Sequence, residues 1–378
     1  MPGTGRPTRS QLARVRRRRR FYRLLTGFYR ALFPSSAPAV LRPADMTRML
    51  VVRDDRIGDL IVSTTLIGYL RDTAPQAELD VVCSTVNAEV LQGDSRVSRV
   101  FVSDKSALGT ARLALALRRH RYDAIFSITP GYGFRQGWMA ALASRRHTAR
   151  VSIWRPKRYH GFFTLVVRNP WSMQPMPDQV AYAGMAAFGQ ASIAGARARP
   201  IRMHVPEASH EVVRRFLAGT AATEYVVVNM RSAESWRTWA PEPAAATLRL
   251  LSERYPSMHF VLTPPPGHCG EAENVTRAVG RQRLHVFPAD ARLADRAALI
   301  ERAGVVITCN TAMVPIASSF GRPVVGLYSN KPTDFNERYL PRGVPQRIVY
   351  ATPMGGVSDI PPADIVAAFA ALLKDIGR

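Results

Sequence analysis

A glycine–aspartate pair follows the first continuous apolar segment of the chain, residues 49–52. Gly58 allows the backbone to come close to a ligand, and Asp59 falls in the first turn of the helix predicted after it. A carboxylate there can cap unpaired N–H groups, and spacing alone favours this interpretation. The same carboxylate can serve as a general base, because doubly wound sheets bind ligands at the carboxyl ends of their strands. At this point both interpretations stay open.

Two further acids precede that pair, and their residue type could indicate a metal site. Asp54 and Asp55 are adjacent, but Arg53 and Arg56 flank them, which favours a solvated ion-pair cluster. The three cysteines lie far apart without a CxxC pair, and the eight histidines form no HExxH motif. We therefore predict no protein-held metal ion, no disulfide framework and a reducing compartment.

A polar loop follows the apolar residues 225–229 and ends at Pro241, which suits the first position of a helix. The loop offers hydrogen-bond donors to phosphate oxygens, above all an arginine, which stays charged and can bind bidentately. The candidate ligand-binding residues here are Asn229, Ser232, Arg237 and Trp239. In the alternative interpretation the tryptophans are packing anchors and Arg237 is a surface charge. The chain contains neither GxGxxG nor GxxxxGK[ST], so neither a dinucleotide site nor a P-loop is supported.

A third candidate segment begins where the apolar residues 305–308 run directly into a predicted helix. Asn310 and Thr311 would open that helix, whose unpaired N–H groups and positive dipole end attract anions. Ala312 and Met313 complete the candidate binding residues of this segment. In the simpler interpretation Asn310 is an ordinary N-cap residue.

The three candidate segments can form one site only if the fold brings the ends of the preceding strands close together. Short apolar segments alternate with helical patterns in two series, which indicates two parallel sheets covered by helices on both faces. A length of 378 residues also exceeds what one hydrophobic core usually supports. The predicted strands are residues 49–52, 79–82, 100–102, 124–128 and 151–153, then 225–229, 259–263, 284–287, 305–308 and 324–328. Residues 154–178 are predicted to form a loop.

The three segments together resemble glycosyltransferase family 9, the heptosyltransferase family of lipopolysaccharide core assembly. The matching motifs are Arg56-Ile57-Gly58-Asp59, Arg237 with Trp239-Ala240-Pro241-Glu242, and residues 310–317 followed by Pro323-Val324-Val325. The resemblance covers residues 46–350 in the family's order. In the third motif Asn310, Ala312 and Pro315 stand where the family has Asp, Gly and His.

The resemblance implies a GT-B fold, an α/β architecture in which two Rossmann-like domains face each other across a cleft. It implies an inverting, metal-independent enzyme whose co-substrate is a nucleotide sugar, usually ADP-heptose, with no bound cofactor. The family's catalytic aspartate falls on Asp59, its phosphate-binding basic residue on Arg237 and its ribose-contacting glutamate on Glu271. The departures at Asn310 and Pro315 motivate an alternative, a non-catalytic nucleotide- or glycan-binding descendant of the same fold.

The net formal charge is +24, and nearly half of it lies at the N-terminus, since residues 1–48 hold twelve arginines and one acid. Residues 16–20 are all arginine and precede a series of apolar residues interrupted by Arg23 and Arg30. This pattern is typical of a basic helix on an anionic membrane surface. The arginines break any secretory signal, and a solvated tail or a nucleic-acid arm are the competing interpretations. No apolar segment approaches the ~20 residues needed to span a bilayer.

We predict a basic arm over residues 1–45, an acceptor domain over 46–195, a nucleotide-sugar domain over 205–350 and a C-terminal helix within 351–378. The expected activity is transfer of a sugar to an anionic glycolipid or oligosaccharide acceptor of the lipopolysaccharide type. The expected location is the cytoplasmic face of a bacterial inner membrane, which the arginine-rich arm contacts. Nucleic acid is the least favoured partner, because the sequence has no recognisable base-reading module.

Overall fold

The structure is a computed structural model and describes residues 22–129, 134–153, 157–170, 175–220, 222, 224–280, 282–331 and 336–378. Its described part contains two six-stranded sheets in which all neighbouring strands are parallel. The central strands are short and almost completely buried, as expected for sheets covered on both faces.

The first sheet has the strand order β3-β2-β1-β4-β5-β6. Its strands are β1 (Arg48–Val52), β2 (Glu78–Ser84), β3 (Arg99–Ser103), β4 (Ala124–Ser127), β5 (Ala149–Ile153) and β6 (Leu165–Val167). After α1 (residues 22–32), its helices are α2 (Ile57–Thr73), α3 (Ala107–Arg118), α4 (Phe134–Ala143), α5 (Met176–Ala187) and α6 (Ile193–Ala198). The prediction that residues 154–178 form only a loop is wrong, because β6 extends the sheet there and α5 begins at Met176.

The second sheet has the strand order β12-β11-β10-β7-β8-β9. Its strands are β7 (Tyr225–Asn229), β8 (His259–Leu262), β9 (Leu284–Val286), β10 (Val305–Cys309), β11 (Val324–Tyr328) and β12 (Gln346–Tyr350). Its helices are α7 (Glu207–Ala218), α8 (Pro241–Arg254), α9 (Cys269–Val279), α10 (Leu293–Glu301), α11 (Met313–Ser319) and α12 (Pro362–Asp375).

Both sheets have the same topology once the second is numbered from its own first strand. In each, the order runs 3-2-1-4-5-6, the arrangement of dinucleotide-binding Rossmann domains. The predicted α/β fold with two doubly wound domains is confirmed. In such sheets the connections leave in opposite directions from the first and fourth strands, and ligands bind beside that point. Here these strand pairs are β1 with β4 and β7 with β10.

Side chains along each central strand alternate between two layers of core. In β1, Met49 and Val51 belong to one buried cluster, and Leu50 and Val52 belong to another on the opposite face. The first of these clusters continues into the second domain and includes Val306 of β10. A hydrophobic core therefore joins the two domains below the strand ends.

Polar contacts add to this interdomain core. Glu89 of the first domain accepts hydrogen bonds from the backbone N–H groups of Leu293 and Ala294 at the start of α10, at 3.2 and 3.0 Å. An acceptor at this end of a helix satisfies donors that the helix leaves unpaired. The guanidinium of Arg342 lies 2.9 Å from the buried carboxylate of Asp178 in α5. These contacts fix how the two sets of strand ends face each other.

Helix α1 lies on the first domain through one of its sides. Tyr29 stacks on Phe162 with ring centroids 4.1 Å apart, and Arg150 donates to the carbonyl of Phe33 at 2.9 Å. A Cβ at Gly161 would lie 2.6 Å from the carbonyl oxygen of Thr26, so this close approach requires glycine. The other side presents an apolar stripe, Leu24, Phe28 and Leu32, with exposures of 74%, 60% and 57%.

The arginines at 16–20 lie outside the described residues. Among the residues that are described, no helix has both the length and the apolar character needed to cross a membrane.

Candidate active site

Asp59 lies between the two domains and is held by one side chain from each. Arg53 of the first domain donates from Nη2 to Oδ1 of Asp59 at 2.8 Å, and the hydroxyl of Tyr339 from the second domain donates to the same oxygen at 3.0 Å. The carboxylate side chain is only 8% exposed. Its second oxygen, Oδ2, accepts no hydrogen bond from the described residues. An oriented carboxylate with one oxygen available has the geometry that a general base needs.

Arg53 is the centre of a buried charged cluster behind Asp59. It is completely buried, donates to the carbonyl of Ile128, and places Nε 3.0 Å from Oδ1 of Asp55. Burial opposes its charge, but the carboxylates of Asp55 and Asp59 outweigh burial and raise the pKa of Arg53. Burial also raises the pKa of Asp55 to about 6, against the attraction of Arg53. The carboxylate of Asp59 therefore has a permanently charged partner.

Two expectations for this turn are wrong. Asp59 does not cap α2, because its carboxylate accepts from Arg53 and Tyr339 rather than from backbone N–H groups. The acidic residues are also not part of a solvated cluster, since Asp54 is fully buried and pairs with Arg135. The reason is the central position of β1, whose following residues are covered by neighbouring loops. Among residues 53–56, only Arg56 is largely exposed, with 71% of its side chain accessible.

Gly58 faces the second domain rather than open solvent. A Cβ at Gly58 would lie 3.5 Å from the Cα of Ala312 and 3.6 Å from Cγ of Pro315, both at the start of α11. At the rim, Arg56 and Glu234 approach to 3.9 Å. The Gly-Asp turn and the third candidate segment therefore meet across the domain boundary, and Pro315 is part of that contact.

The ends of β7 and β10 carry a neutral hydrogen-bond network. The buried amide of Asn229 donates at 3.1 Å to the hydroxyl of Thr308 and at 3.1 Å to that of Thr311. The Thr311 hydroxyl also accepts from the backbone N–H of Met313 at 3.3 Å. Two candidate residues from distant segments, Asn229 and Thr311, are thus brought together at the strand pair where Rossmann domains bind ligands.

Asn310 is not the N-cap residue of α11. That position belongs to Ala312, and Asn310 instead donates to Oδ1 of Asn336 at 3.1 Å. Asn336 in turn donates to the carbonyl of Ser329 at 2.7 Å. The helix begins two residues later than expected, so Asn310 serves to fix the turn that carries Tyr339.

The loop after β7 contains Ser232 and Arg237 and is held by hydrogen bonds between its own residues. The backbone N–H of Ser232 donates to the hydroxyl of Thr238 at 3.2 Å, and Arg237 ends a short 3-10 turn from Ser235. The guanidinium of Arg237 lies near Tyr328, where its charge partly offsets the burial that raises the pKa of Tyr328. Trp239 is fully buried in the core of the second domain. Its ring is therefore a packing anchor, and the expectation that it binds ligand is wrong.

Glu271 lies in a small pocket at the carboxyl ends of β7 and β8. Its Oε1 is 3.1 Å from Nδ1 of His268 and 3.4 Å from Nη1 of Arg231, while Arg231 and His268 approach each other at 3.1 Å. Thr263, Pro264 and Ala272 also line the pocket. A carboxylate held by a histidine and an arginine can accept hydrogen bonds from hydroxyl groups of a ligand.

Sequence reasoning missed Arg231, His268 and Tyr339. Arg231 and His268 could have been found, since each follows a predicted strand within a few residues. Tyr339 gave no such signal, because it lies in a turn and meets Asp59 across 280 residues of sequence.

Two Rossmann-like domains that face each other, with a polar ligand site at the strand ends of one and a buried carboxylate presented by the other, define the class of GT-B glycosyltransferases. A model of glycosyltransferase family 9 (heptosyltransferase) matches residues 110–349. The chain belongs to this family and is a glycosyltransferase.

Relatives agree with this assignment. The chain is 22% identical over 282 residues to lipopolysaccharide heptosyltransferase 3 of Escherichia coli, which covers 72% of this chain and 80% of that protein. A family 9 glycosyltransferase from Veillonella parvula superposes with a TM-score of 0.77 at 17% identity, covering 90% of this chain and all of that one. Escherichia coli heptosyltransferase WaaC with ADP superposes with a TM-score of 0.65 at 18% identity, covering 86% of this chain and 100% of that chain.

Proposed function

We propose that this enzyme transfers heptose from ADP-heptose to a lipopolysaccharide-type glycan acceptor, with inversion at the anomeric carbon and without a metal ion. The observation that carries the proposal is the buried carboxylate of Asp59, which two donors hold by one oxygen at the boundary between the domains. The choice of donor is supported by the family and by the structure of WaaC with ADP.

The proposed donor site is the second domain. The hydroxyl and amide groups of Asn229 and Thr311 would face the diphosphate, together with Arg237. A neutral network beside one arginine suits a dianionic group, because it adds donors without adding negative charge. The pocket of Arg231, His268 and Glu271 would take the nucleoside, with Glu271 accepting from the ribose hydroxyls.

In the proposed reaction the acceptor hydroxyl attacks the anomeric carbon of heptose on the face opposite the diphosphate. The hydroxyl proton moves to Oδ2 of Asp59 as the new glycosidic bond forms. The bond from the anomeric carbon to the phosphate oxygen breaks, and ADP leaves with the electron pair. Arg237 stabilises the negative charge that develops on the leaving group.

The test is a transfer assay with ADP-heptose and lipopolysaccharide-type oligosaccharides, in buffer containing EDTA. We expect a glycosylated product of inverted anomeric configuration, which NMR identifies. Titration calorimetry with ADP-heptose, UDP-sugars and GDP-sugars should show preference for the ADP donor. Binding of nucleotide sugar without transfer to any acceptor would instead support the non-catalytic descendant, which the contact of Pro315 with Gly58 favours.

We also propose that α1 holds the enzyme on the anionic cytoplasmic face of the inner membrane. One side of α1 is docked on the first domain, so the stripe of Leu24, Phe28 and Leu32 is fixed outward with respect to that domain. An apolar stripe on a strongly basic arm suits insertion among anionic lipid headgroups. Each nearby basic residue contributes about 1 kcal/mol of attraction, which salt weakens.

Substitution is a sharper test of this proposal than truncation, because removing α1 would uncover Phe162, on which Tyr29 stacks. The triple variant Leu24→Gln, Phe28→Gln and Leu32→Gln should lose sedimentation with phosphatidylglycerol vesicles at moderate salt. The matched control changes two exposed leucines of α3, Leu108→Gln and Leu115→Gln, and should sediment like the wild type. Equal vesicle binding by the triple variant and the wild type would contradict the proposed contact.

A further inference from the structure

Tyr339 of the second domain contacts the proposed base of the first. Its hydroxyl donates to Oδ1 of Asp59 at 3.0 Å, the same oxygen that Arg53 contacts at 2.8 Å. Burial and the nearby charge of Asp59 raise the pKa of Tyr339, so the hydroxyl keeps its proton at physiological pH and remains a donor. Asp59 is therefore oriented jointly by both domains.

The backbone of Tyr339 is fixed by groups of the second domain that lie beside the proposed donor site. The buried Tyr328 of β11 donates its hydroxyl to the carbonyl of Tyr339 at 2.7 Å. The turn from Asn336 to Tyr339 is also tied to Asn310 through the side chain of Asn336, at 3.1 Å. The charge of Arg237 acts on the same Tyr328. Hydrogen bonds therefore tie the turn that carries Tyr339 to β11 and to the end of β10.

We infer that Tyr339 is a positioning residue, which orients the proposed base of the first domain from the second domain. This inference rests on the proposed role of Asp59. With both donors on Oδ1, the carboxylate cannot rotate, and Oδ2 is presented to the acceptor hydroxyl.

The variant Tyr339→Phe tests this inference, because it removes the hydroxyl and keeps the ring. A hydrogen bond to a charged group corresponds to about a ten- to hundredfold effect, which we expect as a loss in kcat. The affinity for ADP measured by calorimetry and the midpoint of thermal unfolding should stay near those of the wild type. The control Tyr255→Phe removes a hydroxyl from a tyrosine that packs on Phe369, away from the site, and should leave kcat unchanged.

A double-mutant cycle with Asp59→Asn separates positioning from a structural role. Residual rates are measured with enzyme in excess over labelled donor. If Tyr339 acts through Asp59, Tyr339→Phe causes no further loss in the Asp59→Asn background. The same loss in both backgrounds, or an unchanged kcat in the single variant, would overturn the inference. Full activity of Asp59→Asn would instead refute the proposed base, so the two failures are distinguishable.

Discussion

The two domains have one strand order and opposite chemistry at their strand ends. In the first domain β1 ends in buried charge, with Arg53 between Asp55 and Asp59. In the second, β7 and β10 end in amides and hydroxyls, of which Asn229 and Thr311 are hydrogen-bonded to each other. Buried charges are costly unless they are paired, and Arg53 lies within ion-pair distance of both carboxylates. Topology thus provides the location, and loop residues provide the chemistry.

The neutral ends of β7 and β10 also explain how Asn310 and Pro315, which depart from the family motif, are compatible with the proposed donor binding. Asn310 stands where the resemblance predicts an acid, and it keeps the end of β10 neutral. Pro315 stands where the resemblance predicts a histidine, and it packs against Gly58. A dianionic diphosphate then faces Arg237 with fewer opposing charges. The second domain is therefore suited to binding an anion, and the first to moving a proton.

Of the proposed changes, replacing Asp59 with asparagine should have the largest effect, and that effect should be on catalysis rather than on donor binding. We expect Asp59→Asn to lower kcat by about 10²–10⁴-fold, because a positioned base contributes that much. The ADP affinity should remain within a few-fold, since the carboxylate belongs to the other domain. The control Asp72→Asn changes a carboxylate that is 64% exposed and pairs with Arg199. Transfer within a few-fold of the wild type by folded Asp59→Asn would refute the assignment.

The complementary change in the second domain is Arg237→Ala. It should weaken ADP and ADP-heptose alike, by about 10–100-fold, as expected for a charge-assisted contact to phosphate. Acceptor affinity should change little. Arg249→Ala is the matched control, because this arginine lies on α8 and contacts the carbonyl of Ala278. Calorimetry that finds equal ADP affinity in wild type and Arg237→Ala would place Arg237 outside the donor site.

Much of the fold was predictable because parallel strands form continuous apolar segments with clear ends. All ten predicted strands are present, and the two that were missed, β6 and β12, are edge strands. The first has three residues within an Arg/Pro-rich region, and the second is partly exposed along its length. β6 is too short, and β12 too polar and exposed, to show the continuous apolar pattern of a central strand.

The site was predictable only where chemistry directly follows a strand. Asp59, Asn229 and Arg237 were proposed from the segments that follow β1 and β7, and their roles stay predictions. The partners of Asp59 were not proposed, because nothing in the local pattern shows that Arg53 is buried or that Tyr339 returns to β1. The expected N-cap roles of Asp59 and Asn310 were wrong for the same reason. Local spacing does not show which side chains meet in the folded chain, whether they are near in sequence, as Arg53 is, or distant, as Tyr339 is.

The smallest expected effect is on stability. The buried carboxylate of Asp55 in the first domain should make the unfolding free energy depend on pH. Burial raises the pKa of Asp55 to about 6 in the folded protein, whereas an unfolded aspartate titrates near ~3.9. Between about pH 4 and 6 the folded state therefore binds more protons, and the unfolding free energy falls as pH rises. Two pKa units correspond to about 3 kcal/mol, and partial exposure of the side chain reduces this to about 1–2 kcal/mol.

Denaturant unfolding of wild type and Asp55→Asn from pH 4 to 7 tests whether the unfolding free energy falls as pH rises. The asparagine does not titrate. The unfolding free energy of Asp55→Asn relative to that of the wild type should therefore rise by about 1–2 kcal/mol between about pH 4 and 6. Any constant loss from the missing Arg53 pair cancels, because only the pH dependence is compared.

Asp295 of the second domain is the matched control. Burial opposes its charge, but Arg292 outweighs burial and lowers the pKa of Asp295, so its titration falls below this interval. Asp295→Asn should therefore show no such gain, and parallel curves for wild type and Asp55→Asn would mean that the charge of Asp55 is not costly.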